Sequence, residues 1–154
     1  MKSVLGLAVA LVATAVMADE PRYSVGADTF QANCAVCHRA NGAGNPGLAP
    51  PVIADAPKFA QSAEGRRQLA MTVLYGMYGE ITVAERRYNF KMPEFSRFDD
   101  ATLADVLNHV LFDLAHLDAA VAPLTVEDIA RERANAVDGA AVRAHRAAVI
   151  AALP

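Results

Sequence analysis

Apolar residues recur at Leu103, Val106, Leu107, Val110, Leu111 and Leu114. That is the i, i+3, i+4, i+7 stripe of an amphipathic helix, and Asp99 and Asp100 stand where it should open. Leu69, Val73 and Met77 repeat at four-residue spacing with Leu74 adjoining, which predicts a helix over Ser62–Tyr75 ended by Gly76 and Gly79. Gly26, Phe30 and Cys34 share one helical face by the same spacing. Ser24 can cap that short helix, and Gly26 would let another helix backbone approach closely. Ile81-Thr82-Val83 and Arg86-Arg87-Tyr88 flank Ala84-Glu85 as a short hairpin.

Polar and Gly/Pro-rich positions mark the connections. Arg39 to Pro51 carries Asn41-Gly42, Ala43-Gly44, Pro46-Gly47 and Pro50-Pro51, and must be a loop. Asp118 to Pro123 reads as a linker. Thr125, with Leu124 before it, can cap a helix over Val126–Val137. Asp138-Gly139 interrupts, and Ala140–Leu153 is an Ala-rich helical stretch. Helical segments dominate the pattern, with the Ile81–Tyr88 hairpin as the exception.

The first 18 residues differ. Lys2 precedes an apolar run from Val4 to Val16, and Val16-Met17-Ala18 leads into Asp19-Glu20. This is the arrangement of a cleaved secretory signal, and the run is short for a bilayer span. Removing 18 of 154 residues leaves 136, which suits one domain with a modest core. The formal charge is −3 and becomes −4 once Lys2 is lost. Charges are mixed, and no basic run is long enough to suggest nucleic acid. Export would place the protein in the periplasm, with membrane contact only through a partner or an uncleaved signal.

The chain's two cysteines sit together in Cys34-Ala35-Val36-Cys37-His38. Two cysteines two residues apart, followed at once by histidine, are the attachment signature of a c-type haem. Each thiol adds across one haem vinyl group, so the sulfurs must reach neighbouring ring edges. Two intervening residues in a helical turn place them there. His38 then falls beneath the iron and can donate a ring nitrogen. A structural zinc site wants four protein ligands, often as spaced pairs, and neither a second cysteine pair nor a His-x₃₋₅-His exists. A redox dithiol would sit beside a strand–helix–strand pattern, which is absent.

A ligating histidine usually donates its other ring nitrogen to an acceptor. A carbonyl near Pro50 can serve, although a plain turn would leave the same sequence. A thioether suits the sixth position of haem iron and raises the potential. Met92 precedes Pro93 in a stiff extended loop, where it can hold sulfur against iron. Met71 and Met77 compete, but lie in or at the end of an amphipathic helix, where methionine more often fills core. Met92 is the expected ligand, with Met77 or a vacant site as the alternatives. The Leu103–Leu114 face should cover the haem and meet the Gly26–Phe30 helix.

Residues from about 22 to 116 resemble the class I, single-haem c-type cytochromes. The resemblance rests, in order, on Gly26 and Phe30, the Cys34–His38 motif, Pro50-Pro51, Leu74-Tyr75-Gly76-Met77-Tyr78-Gly79, Met92-Pro93 and the closing amphipathic helix. It implies a small all-α fold around one haem c bound through Cys34 and Cys37. It also implies axial ligation by His38 and Met92, with the Pro50 carbonyl behind His38. Residues 19–116 would be the haem domain and 117–154 a C-terminal helical extension. His109 departs from the family, standing where an aromatic commonly packs between the terminal helices. It reads as a packed or partly exposed histidine rather than a second iron ligand.

The resemblance implies electron transfer rather than enzymatic catalysis. The chain would be a periplasmic carrier in a respiratory chain, or the cytochrome subunit of a dehydrogenase or oxidase complex. Its partners would be redox proteins: a dehydrogenase, a quinol:cytochrome c reductase or a terminal oxidase. A haem peroxidase or gas sensor is the alternative and needs a labile sixth ligand. The extension reads either as helices packed on the domain or as a docking segment. From Arg39 to Arg97 there are eight basic and five acidic residues, and from Phe98 onward four and nine. A mildly basic haem face beside an acidic tail would favour an acidic partner surface.

Overall fold

The computed structural model describes residues 20–153. The expected signal segment lies outside them. Helices α1 (Ser24–Asn33), α2 (Ala35–His38), α3 (Val52–Phe59) and α4 (Ala63–Tyr75) are followed by a hairpin of β1 (Ile81–Val83) and β2 (Arg86–Tyr88). Then come α5 (Asp100–Asn108), α6 (Val126–Arg133) and α7 (Gly139–Ala151). The chain is all-α apart from this one two-stranded sheet among the described residues.

The caps explain most boundaries. Ser62 opens α4 by accepting from the Gly65 amide at 3.0 Å, and Asp99 opens α5 by accepting from Thr102 at 2.7 Å. Thr125 and Asp128 form a reciprocal capping box on α6. Asp138 is not merely an interruption: it caps α7 through the Ala141 amide. Ser24, expected as a cap, is instead the first helical residue of α1, behind Tyr23. The oxygens that meet this end of the helix come from far along the chain, where the Asp113 carboxylate accepts from the Arg22 and Tyr23 amides. Helix α6 stops at Arg133, short of the expected Val137. There the Asn135 side chain donates back to the Arg131 carbonyl, the local competition that makes Asn a poor interior residue.

Helix α3 falls in a stretch the hydrophobic pattern did not mark, because Pro57 lies inside it. The apolar stripe of α5 continues to Leu114, but its last six residues, His109–Leu114, are wound as a π-helix. His116 in the left-handed region then turns the chain, with the Leu117 amide on the Leu111 carbonyl at 2.9 Å. The hairpin pairs Ile81 with Tyr88 and Val83 with Arg86. Its two turn residues, Ala84 and Glu85, both take positive φ, the geometry of a two-residue hairpin normally given to Asn-Gly.

Helix α1 crosses α5 at Gly26, where a Cβ would lie 2.1 Å from the Asp105 carbonyl oxygen. Phe30, Leu74, Leu103 and Leu111 fill the core beside that crossing. His109 is buried in it, its ring centroid 5.6 Å from Phe30 and its Nδ1 donating to Asp113 at 2.9 Å. The departure at His109 thus keeps the contact between the terminal helices, as a ring contact plus a hydrogen-bonded anchor.

Helix α6 packs on α4 and α5, and α7 packs on α4. Arg66 of α4 donates to the carbonyls of Ala122 and Pro123 and to Asp128. Arg133 donates to Asp100 and to the carbonyls of Ser96 and Phe98. Buried Asn108 exchanges two hydrogen bonds with the Leu124 backbone, imitating a strand pair. Burial raises the Asp128 carboxyl, but the Thr125 amide and the Arg66 and Arg131 guanidinium groups outweigh it and hold it below the ordinary carboxylate range. The inner faces of the extension are therefore consumed by the body of the same chain.

Candidate functional site

Cys34 ends α1 and caps α2. The amides of Cys37 and His38 both return to the Cys34 carbonyl, at 3.1 and 2.9 Å. One tight helical turn thus presents two thiols and an imidazole together. Cys34 and Cys37 are not joined to each other, and before attachment burial pushes the Cys34 thiol up to about 11 against the opposing field of Arg97. A thiol kept protonated is a poor partner for disulfide exchange.

Beyond α2, Arg39 to Pro51 folds back as a loop. The Gly44 amide bonds the His38 carbonyl at 2.9 Å, and Asn45 and Ala49 pair as an isolated bridge. This carries the Pro50 carbonyl to 2.8 Å from His38 Nδ1, which donates to it. Burial depresses the His38 pKa, with the Pro50 contact acting the other way. The result is a neutral imidazole with Nε2 available, the form that ligates a metal.

The wall opposite comes from the loop after the hairpin. Met92 and Met77 exchange backbone hydrogen bonds at 2.8 and 3.2 Å. Gly76 makes that approach possible: its φ is +67°, and a Cβ there would lie 2.3 Å from the Met92 carbonyl oxygen. The Phe95 amide on the Val73 carbonyl pins the loop's far end.

Two adjoining cavities lie between these walls, an outer one of about 350 Å³ and an inner one of about 130 Å³. Cys34, His38, Pro50, Met77 and Met92 line both, and Cys37 lines the outer one. Met71 lines neither and is buried core. All five residues singled out for the site are thus brought together, and of the competing methionines only Met77 stays near. Val106, Leu107 and Val110 close the inner cavity from the last helical stripe, as its apolar face predicted. Ile81, Val83 and Tyr88 add the hairpin as a further wall. Among the lining residues that had drawn no functional reading from the sequence is Arg146 of α7. In sequence it is one of two arginines, with Arg143, in an Ala-rich helix.

Paired thiols, a backed neutral imidazole and thioethers around an apolar cavity suit an iron porphyrin attached by thioether bonds. Fold and site define a small helical protein built to hold one such group. The chain belongs to the cytochrome c family, whose model, described as "Cytochrome c", matches residues 24–111. It is 34% identical over 117 residues to a cytochrome c-552 of Thermus thermophilus, covering 75% of this chain and 89% of that protein. A second cytochrome c-552 of the same species matches at 34% over 75% of this chain and 79% of its own length. Membership brings one covalently attached haem c, which Cys34 and Cys37 fit, and haem-based electron transfer.

Proposed function

We propose that this protein is a periplasmic one-electron carrier in which Cys34 and Cys37 hold the haem and His38 and Met92 are its axial ligands. The haem supplies a single iron that exchanges one electron between ferric and ferrous states. The observation that carries the reading is the His38–Pro50 contact at 2.8 Å across a shared cavity from Met92. His38 Nδ1 is spent on the carbonyl, so Nε2 is the nitrogen left for iron. The Met77–Met92 bridge and Pro93 stiffen the opposite side, so the thioether needs little reordering to ligate. With His38 and Met92 as ligands, both axial positions would be taken and none would be left for peroxide or gas, which supports the carrier reading over the peroxidase or sensor.

Val36 and Phe90 line the outer cavity and are 80% and 65% exposed, with Lys91 beside them. An apolar rim at the cavity mouth suits a brief, small contact with a redox partner, either a dehydrogenase, a quinol:cytochrome c reductase or a terminal oxidase. The location outside the cytoplasmic membrane rests on the thioether chemistry and the apolar N-terminal run. No helix among the described residues is long and apolar enough to cross a membrane.

The internal contacts of α6 and α7 favour a free carrier over a fixed subunit, since the extension needs no partner to cover it. Size exclusion of native periplasmic extract tests this. The expected result is a red species near the mass of one chain. Elution of the haem signal only within a large complex would assign the chain to that complex instead.

A further inference from the structure

Arg146 lies in α7, outside the stretch matched by the family model. It is 8% exposed and lines the inner cavity together with His38, Met77 and Met92. Of its nitrogens only Nη2 is hydrogen-bonded among the described residues, to the Asp55 carboxylate and, at 3.4 Å, to the Thr82 carbonyl. A guanidinium offers five N–H donors. Nε and Nη1 therefore have no partner among the described residues, yet neither is sealed off from open space. The Phe59 ring, 5.9 Å from the guanidinium carbon, and Asp55 fix the group in place.

The haem brings the complementary charge. Its two carboxylates sit on the ring edge opposite the vinyl positions that become thioethers. With the thioether edge held at Cys34 and Cys37, the carboxylate edge would lie away from them, and Cys37 does not reach the inner cavity. A carboxylate in an apolar cavity needs a cation or several donors. Besides the Cys34 thiol, the ionisable residues lining the inner cavity are His38, Asp55 and Arg146. The neutral wall includes Gln68 and Thr72 from α4, Ile81 and Val83 from the hairpin, and Val106 from α5. Asp55, itself paired with Lys58, repels a carboxylate, and His38 is spent on Pro50 and iron.

We infer that Arg146 donates through Nε and Nη1 to one haem carboxylate while Nη2 stays on Asp55. This rests on the haem reading above and adds the extension to the cofactor site. Asp55 is then a positioning residue, holding the guanidinium for its second partner. The ion pair keeps that carboxylate ionised across the neutral range, so the electron is exchanged without a coupled proton.

The test is the midpoint potential of the holoprotein between about pH 5 and 9. Wild type and Arg146→Lys give nearly flat profiles, since lysine keeps the charge. Arg146→Gln shifts the potential and introduces a sloping segment, approaching about 59 mV per pH unit where one proton follows one electron. An Arg146→Gln profile superimposable on wild type, with only the melting temperature lowered, overturns the inference and leaves Arg146 as a brace for Asp55 and the hairpin. If that variant does not fold, ¹³C labelling of the haem carboxylates in the wild type decides. One carboxylate signal that does not titrate supports the pair, and two that titrate near the ordinary carboxylate range overturn it. A wild-type product without covalent haem fails the underlying reading instead, and is seen before any titration begins.

Discussion

Met92→Ala lowers the midpoint potential by on the order of 0.2 V, within the ~0.8 V that axial ligands command, and opens the iron to carbon monoxide and cyanide. The sulfur is a soft donor that favours the ferrous state, so its loss stabilises the ferric form. The backbone around it should persist, because the bridge to Met77 uses main-chain groups and the Phe95 amide still bonds Val73. The change is therefore one of ligation, readable by spectrum and potential with little loss of folded protein. Met77→Ala is the matched comparison: it removes a thioether from the same cavity and leaves both properties nearly unchanged. If Met77→Ala abolished the iron–sulfur absorption band while Met92→Ala kept it, the ligand would be Met77 and the loop assignment would fall.

Gly26→Ala produces a large loss of stability from a single methyl group. Alanine is the better helix former by about 1 kcal/mol, which taken alone would stabilise α1. Against that, the new Cβ would stand 2.1 Å from the Asp105 carbonyl oxygen and 2.4 Å from its carbon. These are backbone atoms of α5 and cannot swing aside, so the two helices must separate. Separation loosens the Phe30–His109 contact and the Asp113 bonds to Arg22 and Tyr23. Overpacking of this kind costs about 1–3 kcal/mol or more, and a clash with fixed backbone belongs at the upper end. The net loss is about 2 kcal/mol, a fall of about 5–10 °C in the melting temperature of the holoprotein. A melting temperature equal to or above that of wild type would mean that α1 and α5 do not cross at Gly26.

What could be read from the residues was what local chemistry forces. Covalent attachment dictates the types and spacing at Cys34, Cys37 and His38. Pro93 dictates an extended backbone at Met92, and the 3.6-residue period dictates the faces of α4 and α5. The Gly26 contact was readable too, because only a residue without Cβ admits another backbone. The remainder depends on partners far away in the chain. Asp113 reaches back 91 and 90 residues to the start of α1, and Arg66 forward 62 to Asp128. In sequence these look like ordinary solvated charges. The π-helical turn at His109–Leu114 keeps its apolar residues on the buried side, so a helical stripe does not reveal the change of winding. Helix α3 was hidden by Pro57, although Val52, Ala56 and Phe59 carry its i, i+4, i+7 face. Arg146 shows the same limit at the site itself, since its meaning comes from a cavity built by α2, α3 and the hairpin.

The most direct test of the whole account is whether the red group is bonded to the polypeptide through Cys34 and Cys37. The exported protein is purified, denatured and extracted with acidic organic solvent, and its mass is then measured. The account predicts that the colour stays with the chain, that the mass exceeds that of the polypeptide by one haem, and that Cys34→Ala with Cys37→Ala abolishes both. Colour that leaves with the solvent, or a wild-type chain that never carried it, would contradict the account.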